Sequence, residues 1–310
     1  MRLYAIADLH ISYKQNLEAL HEITAHPEDS LILCGDVGER LEHLVEAFKV
    51  TTSLFKQVFW VPGNHELYTL PGNQKHEDDS DKELDKDLRG DFKYQECIRI
   101  ANEWGVITPE DEFVKWEGEG GPALICPIFT LYDYSFRPAH VSRAGALEWA
   151  MEENVYATDE ALLHPDPYET RDAWCEALVA KAEERLEAAV SRGIPLIIVN
   201  HWPLREDLVT IPSVPRFSLW CGTTLTEDWH TRFNAKVVVT GHLHVRRTDW
   251  IDGVRFEEVS LGYPRQWQAA KDKGLGVNQL LREILPGIET PEDGKTIWRH
   301  FGIPSDHKSG

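Results

Sequence analysis

Five short segments of the chain carry side chains able to bind metal ions, and each follows an apolar run that is typical of a buried strand. Together they contain two aspartates, one asparagine and five histidines. In chain order they are Asp8-Leu9-His10, Gly35-Asp36, Gly63-Asn64-His65-Glu66, His201 and Gly241-His242-Leu243-His244. Any one of them alone is more often an ordinary turn. Five in succession, each after an apolar run, is not the pattern of a hydrophobic core or of a solvated surface.

Buried carboxylates and imidazoles are costly without partners, and a protein that gathers them normally neutralises them with a metal ion. The two aspartates, the amide and four of the histidines offer oxygen and nitrogen donors that suit Mn, Fe or Zn, and the set has no thiolate of the kind that selects copper. Seven ligands exceed the needs of one cation but serve two cations that share a carboxylate. The sequence therefore predicts a dinuclear metal centre.

Two cations roughly 3.5–4 Å apart can clamp a phosphoryl group and lower the pKa of a bound water towards about 7. This chemistry predicts a phosphoester hydrolase in which a metal-bound hydroxide attacks phosphorus. His65 is left over as a non-ligand, and its imidazolium can protonate the leaving oxygen or stabilise it electrostatically. Diester hydrolysis is favoured because an alkoxide leaving group gains from a proton, although monoester hydrolysis can use the same groups.

The elements that must position these groups are strands connected by helices. Apolar runs predict buried strands at 2–7, 30–34, 57–61, 123–126, 195–200 and 236–240, with an edge or second-sheet strand at 254–260. Helices are predicted at 15–25, 39–55, 92–104, 170–192, 224–233 and 277–285. This alternation favours an α/β fold with parallel strands, which presents functional groups at the carboxyl ends of its strands. Asp8 and His10 are expected to project to the same side of an extended segment.

The order of these motifs resembles that of the calcineurin-like metallophosphoesterase family across residues 8–244. The resemblance implies a four-layer α-β-β-α sandwich of two facing mixed sheets. It also implies two ligand sets that share Asp36: Asp8, His10 and His244 for one cation, and Asn64, His201 and His242 for the other. Asp36 and His65 are then the catalytic residues, and the expected cofactors are two ions of Mn or Fe, with Zn as an alternative.

Several stretches without a metal role resemble the phosphopantetheinyl hydrolases of mycobacteria, a narrower group within that family that releases the phosphopantetheine arm from carrier proteins. These stretches are 131–136, 158–160, 170–175, 217–223 and 263–265. The resemblance implies a phosphopantetheinylated carrier protein as substrate and partner. The alternative is a phosphatase or phosphodiesterase that acts on a small molecule, either a nucleotide or a phosphorylated biosynthetic intermediate.

Four further residues are candidates for substrate contacts. Arg40 either orients a phosphate or caps the helix that follows it, and the structural role is slightly favoured. Tyr132, Tyr134 and Trp220 either stack on a substrate ring or pack in the core. The aromatic and proline-punctuated segment at 127–170 is predicted to be an inserted cap over the cleft or an irregular flank of the core.

Charge limits the classes of partner. The chain has 310 residues, a hydrophobic content of 42% and a formal net charge of -20. This charge argues against nucleic-acid binding, which relies on basic side chains that neutralise phosphates. It also opposes binding of an acidic carrier protein unless a local basic patch compensates. Candidates for that patch are Arg246, Arg247, Arg255 and Arg265.

Targeting signals and cysteine usage limit the compartment. No run approaches the roughly 18 apolar residues of a membrane span, and the N-terminus becomes charged too quickly for a signal peptide. The five scattered cysteines contain no CxxC pair, which favours a reducing cytoplasm over a disulfide framework. One domain is predicted at 1–268, with the cap at 127–170 and an acidic loop at 71–91, followed by a C-terminal tail at 269–310. Nothing in the sequence indicates the oligomeric state.

Overall fold

A computed structural model describes residues 1–71, 88–288 and 295–299. Most of the acidic loop predicted at 71–91 and the end of the tail lie outside the described residues. The strands are β1 Leu3–Ile6, β2 His26–Cys34, β3 Phe55–Val61, β4 Val114–Trp116, β5 Ala123–Pro127, β6 Leu196–Val199, β7 Ala235–Thr240, β8 Arg247–Ile251, β9 Val254–Glu258, β10 Arg282–Leu285 and β11 Ile297–Trp298. The α-helices are α1 Lys14–His21, α2 Leu41–Leu54, α3 Gly90–Glu103, α4 Ala146–Met151, α5 Asp159–Leu162, α6 Arg171–Val190, α7 Trp229–Arg232, α8 Pro264–Asp272 and α9 Val277–Leu280. Short 3-10 turns occur at His65–Leu67, Glu206–Leu208, Pro215–Trp220 and Thr224–Thr226.

The strands form two mixed sheets. The first has the order β10-β1-β2-β3, with β1, β2 and β3 parallel and β10 antiparallel to β1. The second has the order β11-β8-β9-β7-β6-β5-β4, with a parallel centre of β9, β7, β6 and β5. Its outer pairs, β11 with β8, β8 with β9, and β4 with β5, are antiparallel.

Alternating side chains of the central strands belong to two different buried layers, as the two-residue period of a strand requires. Ile32 and Cys34 of β2 pack in one cluster with Val199 and Val239 of the second sheet. Leu31 and Leu33, on the other face of β2, belong to a cluster that includes helical residues such as those of α2 and α6. The two sheets therefore face each other with helices outside them, and the four-layer α-β-β-α sandwich is confirmed.

The two sheets are joined at the end where the parallel strands finish. The N–H of Ala7, just after β1, donates to the carbonyl of Val259, just after β9, at 3.0 Å. The N–H of Leu261 donates back to the carbonyl of Ala7 at 2.8 Å. The carboxyl ends of strands from both sheets are thereby held together at one edge of the sandwich.

All seven predicted strands are present, but the helix predicted at 277–285 is wrong. That helix ends at Leu280, and Arg282–Leu285 forms the edge strand β10 beside β1. Ile284 and Leu285 are fully buried between the sheets, so tertiary packing overrides the weak local helical preference. The domain boundary at 268 stays a prediction, although residues beyond it add a strand to the first sheet. No helix among the described residues combines the length and the apolar character needed to cross a membrane.

Candidate metal centre

The seven predicted ligands all lie where parallel strands end. Asp8 and His10 follow β1, Asp36 follows β2 and Asn64 follows β3. His201 follows β6, while His242 and His244 follow β7. The side chains are almost completely enclosed, and the most accessible of them, that of His244, is only 10% exposed.

Five of the ligands have a left-handed backbone conformation, which residues other than glycine seldom adopt. Their φ angles are 53° at Asp8, 42° at His10, 54° at Asp36, 72° at His242 and 56° at His244. The expectation that Asp8 and His10 lie on an extended segment is therefore wrong. Such conformations cost on the order of 1–3 kcal/mol each and persist only where surrounding contacts enforce them. Here the N–H groups of Asp8 and His10 donate to the carbonyls of Gly35 and Asp36 at 2.9 and 3.0 Å.

The glycines of three motifs leave space that the ligands occupy. A Cβ at Gly35 would lie 2.4 Å from Nδ1 of His201, and one at Gly241 would lie 2.6 Å from Oδ2 of Asp8. A Cβ at Gly63 would lie 2.1 Å from Oδ1 of Asp36. Any larger residue would displace a ligand, so the glycines are required by the close approach of these side chains.

Two groups of donor atoms meet at Asp36. Asp8, His10, Asp36 and His244 form one group, and Asp36, His201 and His242 form the other, with the ligand atoms of each group within 4.8 Å of one another. Oδ2 of Asp36 lies 3.9 Å from Nε2 of His10 and 3.5 Å from Nε2 of His201. Asp36 is thus placed to serve two cations at once.

The donor atoms fit a pair of metal ions. Among the described residues, Oδ1 of Asn64 and the Nε2 atoms of His201 and His242 are buried without a hydrogen-bond partner. Buried polar atoms are normally satisfied, and a cation would satisfy these three together. In the first group, the Nε2 atoms of His10 and His244 lie 3.3 Å apart.

Hydrogen bonds from the outer ring nitrogens direct Nε2 of two histidines inwards. Nδ1 of His201 donates to the carbonyl of Cys34 at 2.8 Å. Nδ1 of His244 donates to Oε1 of Gln266, also at 2.8 Å. Partners of this kind fix the tautomer and ring orientation of metal-binding histidines.

Burial and neighbouring charges together set the pKa values of the predicted ligands. Burial opposes ionisation of Asp8, but the imidazole of His244 lowers the pKa of this aspartate to about 2. Burial also disfavours the charged form of His201, yet Asp36 raises its pKa to about 10. Burial and the neighbouring imidazoles lower the pKa values of His10 and His242 to about 3. Protons on some imidazoles thus offset the buried carboxylates, a task that cations would take over.

His65 lies beside the ligand cluster and pairs with a carboxylate that the sequence interpretation did not assign. Its Nδ1 lies 3.0 Å from Oε1 of Glu39, and its Nε2 lies 3.9 Å from Oδ2 of Asp36. Burial alone would lower the pKa of His65, but Asp36 and Glu39 raise it to about 9. Burial likewise opposes ionisation of Glu39, but the bond to His65 lowers its pKa to about 2. The imidazole is therefore held protonated at neutral pH.

Two further acidic residues support the site and were not assigned a role from the sequence. The carboxylate of Glu66 accepts hydrogen bonds from the N–H groups of Asp36, Val37 and Gly63, at 3.0, 2.5 and 2.7 Å. It therefore ties the loop after β2 to the loop after β3. The only signal for Glu66 was its place in the Gly63-Asn64-His65-Glu66 motif.

Asp159, at the start of α5, fixes the orientation of the Asn64 amide. Nδ2 of Asn64 donates to Oδ1 of Asp159 at 3.0 Å and to the hydroxyl of Tyr68 at 2.9 Å. The amide nitrogen is thus engaged away from the cluster, and Oδ1 is left to face it. Asp159 lies within the segment predicted as a cap, far from the ligand motifs in sequence, and nothing local marks its role.

The four residues predicted to contact substrate differ in their burial. Tyr132, Tyr134 and Trp220 are buried, with exposed fractions of 0%, 1% and 0%. The hydroxyl of Tyr134 and the indole N–H of Trp220 both donate to Oε1 of Glu160, at 2.7 and 2.8 Å. Arg40 is exposed at the beginning of α2, where its N–H donates to Nδ1 of His43 at 3.4 Å. The aromatic side chains pack in the interior, and Arg40 has the geometry of a helix cap.

Comparison with known proteins agrees with this geometry. Residues 1–246 match the calcineurin-like phosphoesterase family. The chain is 44% identical over 286 residues to the acyl-carrier-protein phosphodiesterase PptH of Mycobacterium tuberculosis, covering 92% of this chain and 83% of that protein. The superposition on the crystal structure of that phosphopantetheinyl hydrolase covers 92% of this chain and 96% of the other, with a TM-score of 0.83. A shorter match, 31% identical over 88 residues, covers 26% of this chain and 31% of the uncharacterized protein L509 of Acanthamoeba polyphaga mimivirus.

Proposed function

The chain belongs to the calcineurin-like phosphoesterase family, whose members hydrolyse phosphoric esters, and from this premise we propose that it cleaves the phosphodiester between 4′-phosphopantetheine and a carrier protein. The observation that carries the proposal is the pair of donor groups that share Asp36, with His65 beside them and paired with Glu39. The choice of substrate is supported by the printed activity of the mycobacterial relative, which is similar over nearly the whole chain.

The residues present fit two cations. Asp8, His10, Asp36 and His244 would hold one, and Asp36, Asn64, His201 and His242 would hold the other. Mixed oxygen and nitrogen donors favour Mn or Fe, with Zn as an alternative. When bound, such ions supply a nucleophilic water at neutral pH and neutralise charge on the phosphate.

We assign His65 the role of general acid. Its Nδ1–H is directed at Glu39, so the second ring proton is held at Nε2, on the side of Asp36. A proton at that atom can pass to the departing alkoxide of a diester or stabilise its charge. Glu39 both orients the ring and favours its protonated form.

A carrier-protein substrate is preferred over the small-molecule alternative. Tyr132, Tyr134 and Trp220 were candidates to stack on the ring of a small substrate, but these side chains are buried, which weakens the support for that alternative. We also infer a cytoplasmic location, which is supported by five buried cysteines that form no disulfide.

The test measures turnover of three substrates with added manganese and with a chelator: p-nitrophenyl phosphate, bis-p-nitrophenyl phosphate and a phosphopantetheinylated carrier protein. It compares the unaltered chain with His65→Ala and with His21→Ala, a control whose imidazole is exposed on α1. Metal-dependent cleavage of the carrier protein, lost in His65→Ala and kept in His21→Ala, is the expected result. Rapid monoester cleavage with an intact carrier protein would contradict the proposal and favour a small-molecule substrate.

A further inference from the structure

A groove of about 560 Å³ opens beside the candidate metal centre, and its lining comprises Tyr13, Lys14, Gln15, Tyr263, Pro264 and Arg265. The ring of Tyr263 stacks on that of His10 with centroids 4.4 Å apart and meets that of His244 at 4.9 Å. The ring of Tyr13 also contacts that of Tyr263, edge to face, with centroids 5.6 Å apart. Tyr263 therefore lies between the ligand cluster and the groove. A substrate bound in the groove is next to the cluster at this residue.

The groove presents positive charge on a strongly acidic protein. Its charged lining residues are Lys14 and Arg265, and both are exposed. Lys14 lies 3.8 Å from Glu18, but these side chains are 88% and 56% exposed, and such a pair contributes little. Within the part of the chain that the structure describes, the side chain of Arg265 makes no hydrogen bond or ion pair. The side chain of Arg265 can therefore meet an incoming anion, and that of Lys14 can do so by leaving its exposed pair with Glu18.

The other arginines proposed for docking are buried and already bonded. Arg246 donates to the carbonyl of Leu261 at 2.7 Å, Arg247 to Oδ2 of Asp249 at 2.6 Å, and Arg255 to the carbonyl of Ile288 at 2.9 Å. Their exposed fractions are 5%, 6% and 7%. Of the four candidates, only Arg265 is available to a partner, and it lies next to the site.

We propose that this groove docks the acidic face of the carrier protein beside its modified serine. This proposal rests on the proposed function, since it takes the carrier protein as the substrate. The positive groove would supply a local attraction for an acidic carrier protein, which the net charge of -20 would otherwise repel. Tyrosine and arginine are enriched in the cores of protein interfaces, and Tyr13 is 47% exposed at this position. Docking here places the serine phosphodiester at Tyr263, next to His10.

The experiment compares the unaltered chain with Lys14→Glu/Arg265→Glu and with the control Lys49→Glu/Lys56→Glu. The control makes the same change in net charge at exposed positions in α2 and near the N-terminal end of β3. Both positions lie away from the carboxyl ends of the strands, where the predicted metal ligands lie. The substrates are the phosphopantetheinylated carrier protein, phosphopantetheinyl-serine, which has the arm but no protein surface, and bis-p-nitrophenyl phosphate. The value of kcat/KM is measured for each over a range of salt concentrations, and thermal melting checks the fold.

In Lys14→Glu/Arg265→Glu we expect the ratio of kcat/KM for carrier protein to that for either small diester to fall about tenfold or more at low salt. In the unaltered chain, carrier-protein turnover should decrease as salt rises, and in this variant that dependence should vanish or reverse. The control should keep the original ratio and salt dependence.

Several outcomes would overturn the docking inference. An unchanged ratio in the groove variant, or an equal fall in the control, would remove the groove from carrier recognition. An equal loss of phosphopantetheinyl-serine turnover would show that the groove binds the arm instead of the protein. If the unaltered chain cleaves bis-p-nitrophenyl phosphate but not the carrier protein, the proposed function fails, and the docking inference fails with it.

Discussion

A methyl group at Gly63 should disable the candidate metal centre, because the ligand shared by both groups occupies that space. The Cβ of Gly63→Ala would lie 2.1 Å from Oδ1 of Asp36 and 2.6 Å from its backbone nitrogen. Ordinary carbon contacts lie near 3.5 Å, so the carboxylate must move by roughly 1 Å or more. Metal–ligand distances tolerate deviations of only about 0.2 Å.

The displacement should weaken both cation sites, since Asp36 belongs to both donor groups. We expect manganese affinity to fall by at least the roughly 10–100-fold that follows loss of a partner outside the ligand set. The free energy of unfolding of the metal-free protein should also fall by about 1–3 kcal/mol, the usual cost of overpacking. The backbone nitrogen of Asp36 cannot move aside as a flexible side chain would.

Calorimetric titration with manganese and urea unfolding in the presence of a chelator measure the two effects. The matched control is Gly145→Ala at the beginning of α4, where φ is -90° and the nearest atom to an added Cβ is Oγ of Ser142 at 3.3 Å. If Gly63→Ala bound manganese and unfolded like Gly145→Ala, the reasoning about the shared ligand would be refuted.

Three other perturbations test the surroundings of the site. Glu39→Gln removes the anion beside Nδ1 of His65, so the pKa of His65 should fall below about 9. The loss of diester hydrolysis at alkaline pH should then move to lower pH. An unshifted pH–rate profile would show that Glu39 does not raise the pKa of His65. Asp159→Ala frees the Asn64 amide to rotate, so manganese affinity measured by calorimetry should fall by about tenfold or more; unchanged affinity would mean that Tyr68 alone suffices. Removal of metal with a chelator should lower Tm, and manganese at 100 times its Kd should raise the free energy of unfolding again by about 2.7 kcal/mol. A Tm independent of manganese would contradict selective binding to the folded chain.

Most elements of the fold could be predicted from short stretches of sequence. Six apolar runs predicted strands at the right places, because a strand buried on both faces needs an unbroken run of apolar residues. The ligand motifs were equally visible, since a carboxylate or imidazole directly after such a run has no role in packing. The four-layer arrangement was predicted from the family resemblance, because local patterns do not show which apolar faces of the sheets and helices pack together.

Other features depended on residues far away in the chain. Arg282–Leu285 forms a strand because β1, about 280 residues earlier, offers an unpaired edge and the opposite sheet buries Ile284. Glu39, not the neighbouring Arg40, reaches His65 because the loops after β2 and β3 meet in space.

The sequence by itself determined the candidate metal ligands, the order of the strands that present them, and the class of chemistry. Tertiary structure decided which charged groups are available. Arg246 and Arg265 are the same residue type, yet carbonyl groups surround the first, while the second stands beside the site without a partner among the described residues. Burial and hydrogen bonding are set by neighbours that folding brings together, so no local pattern distinguishes two such side chains.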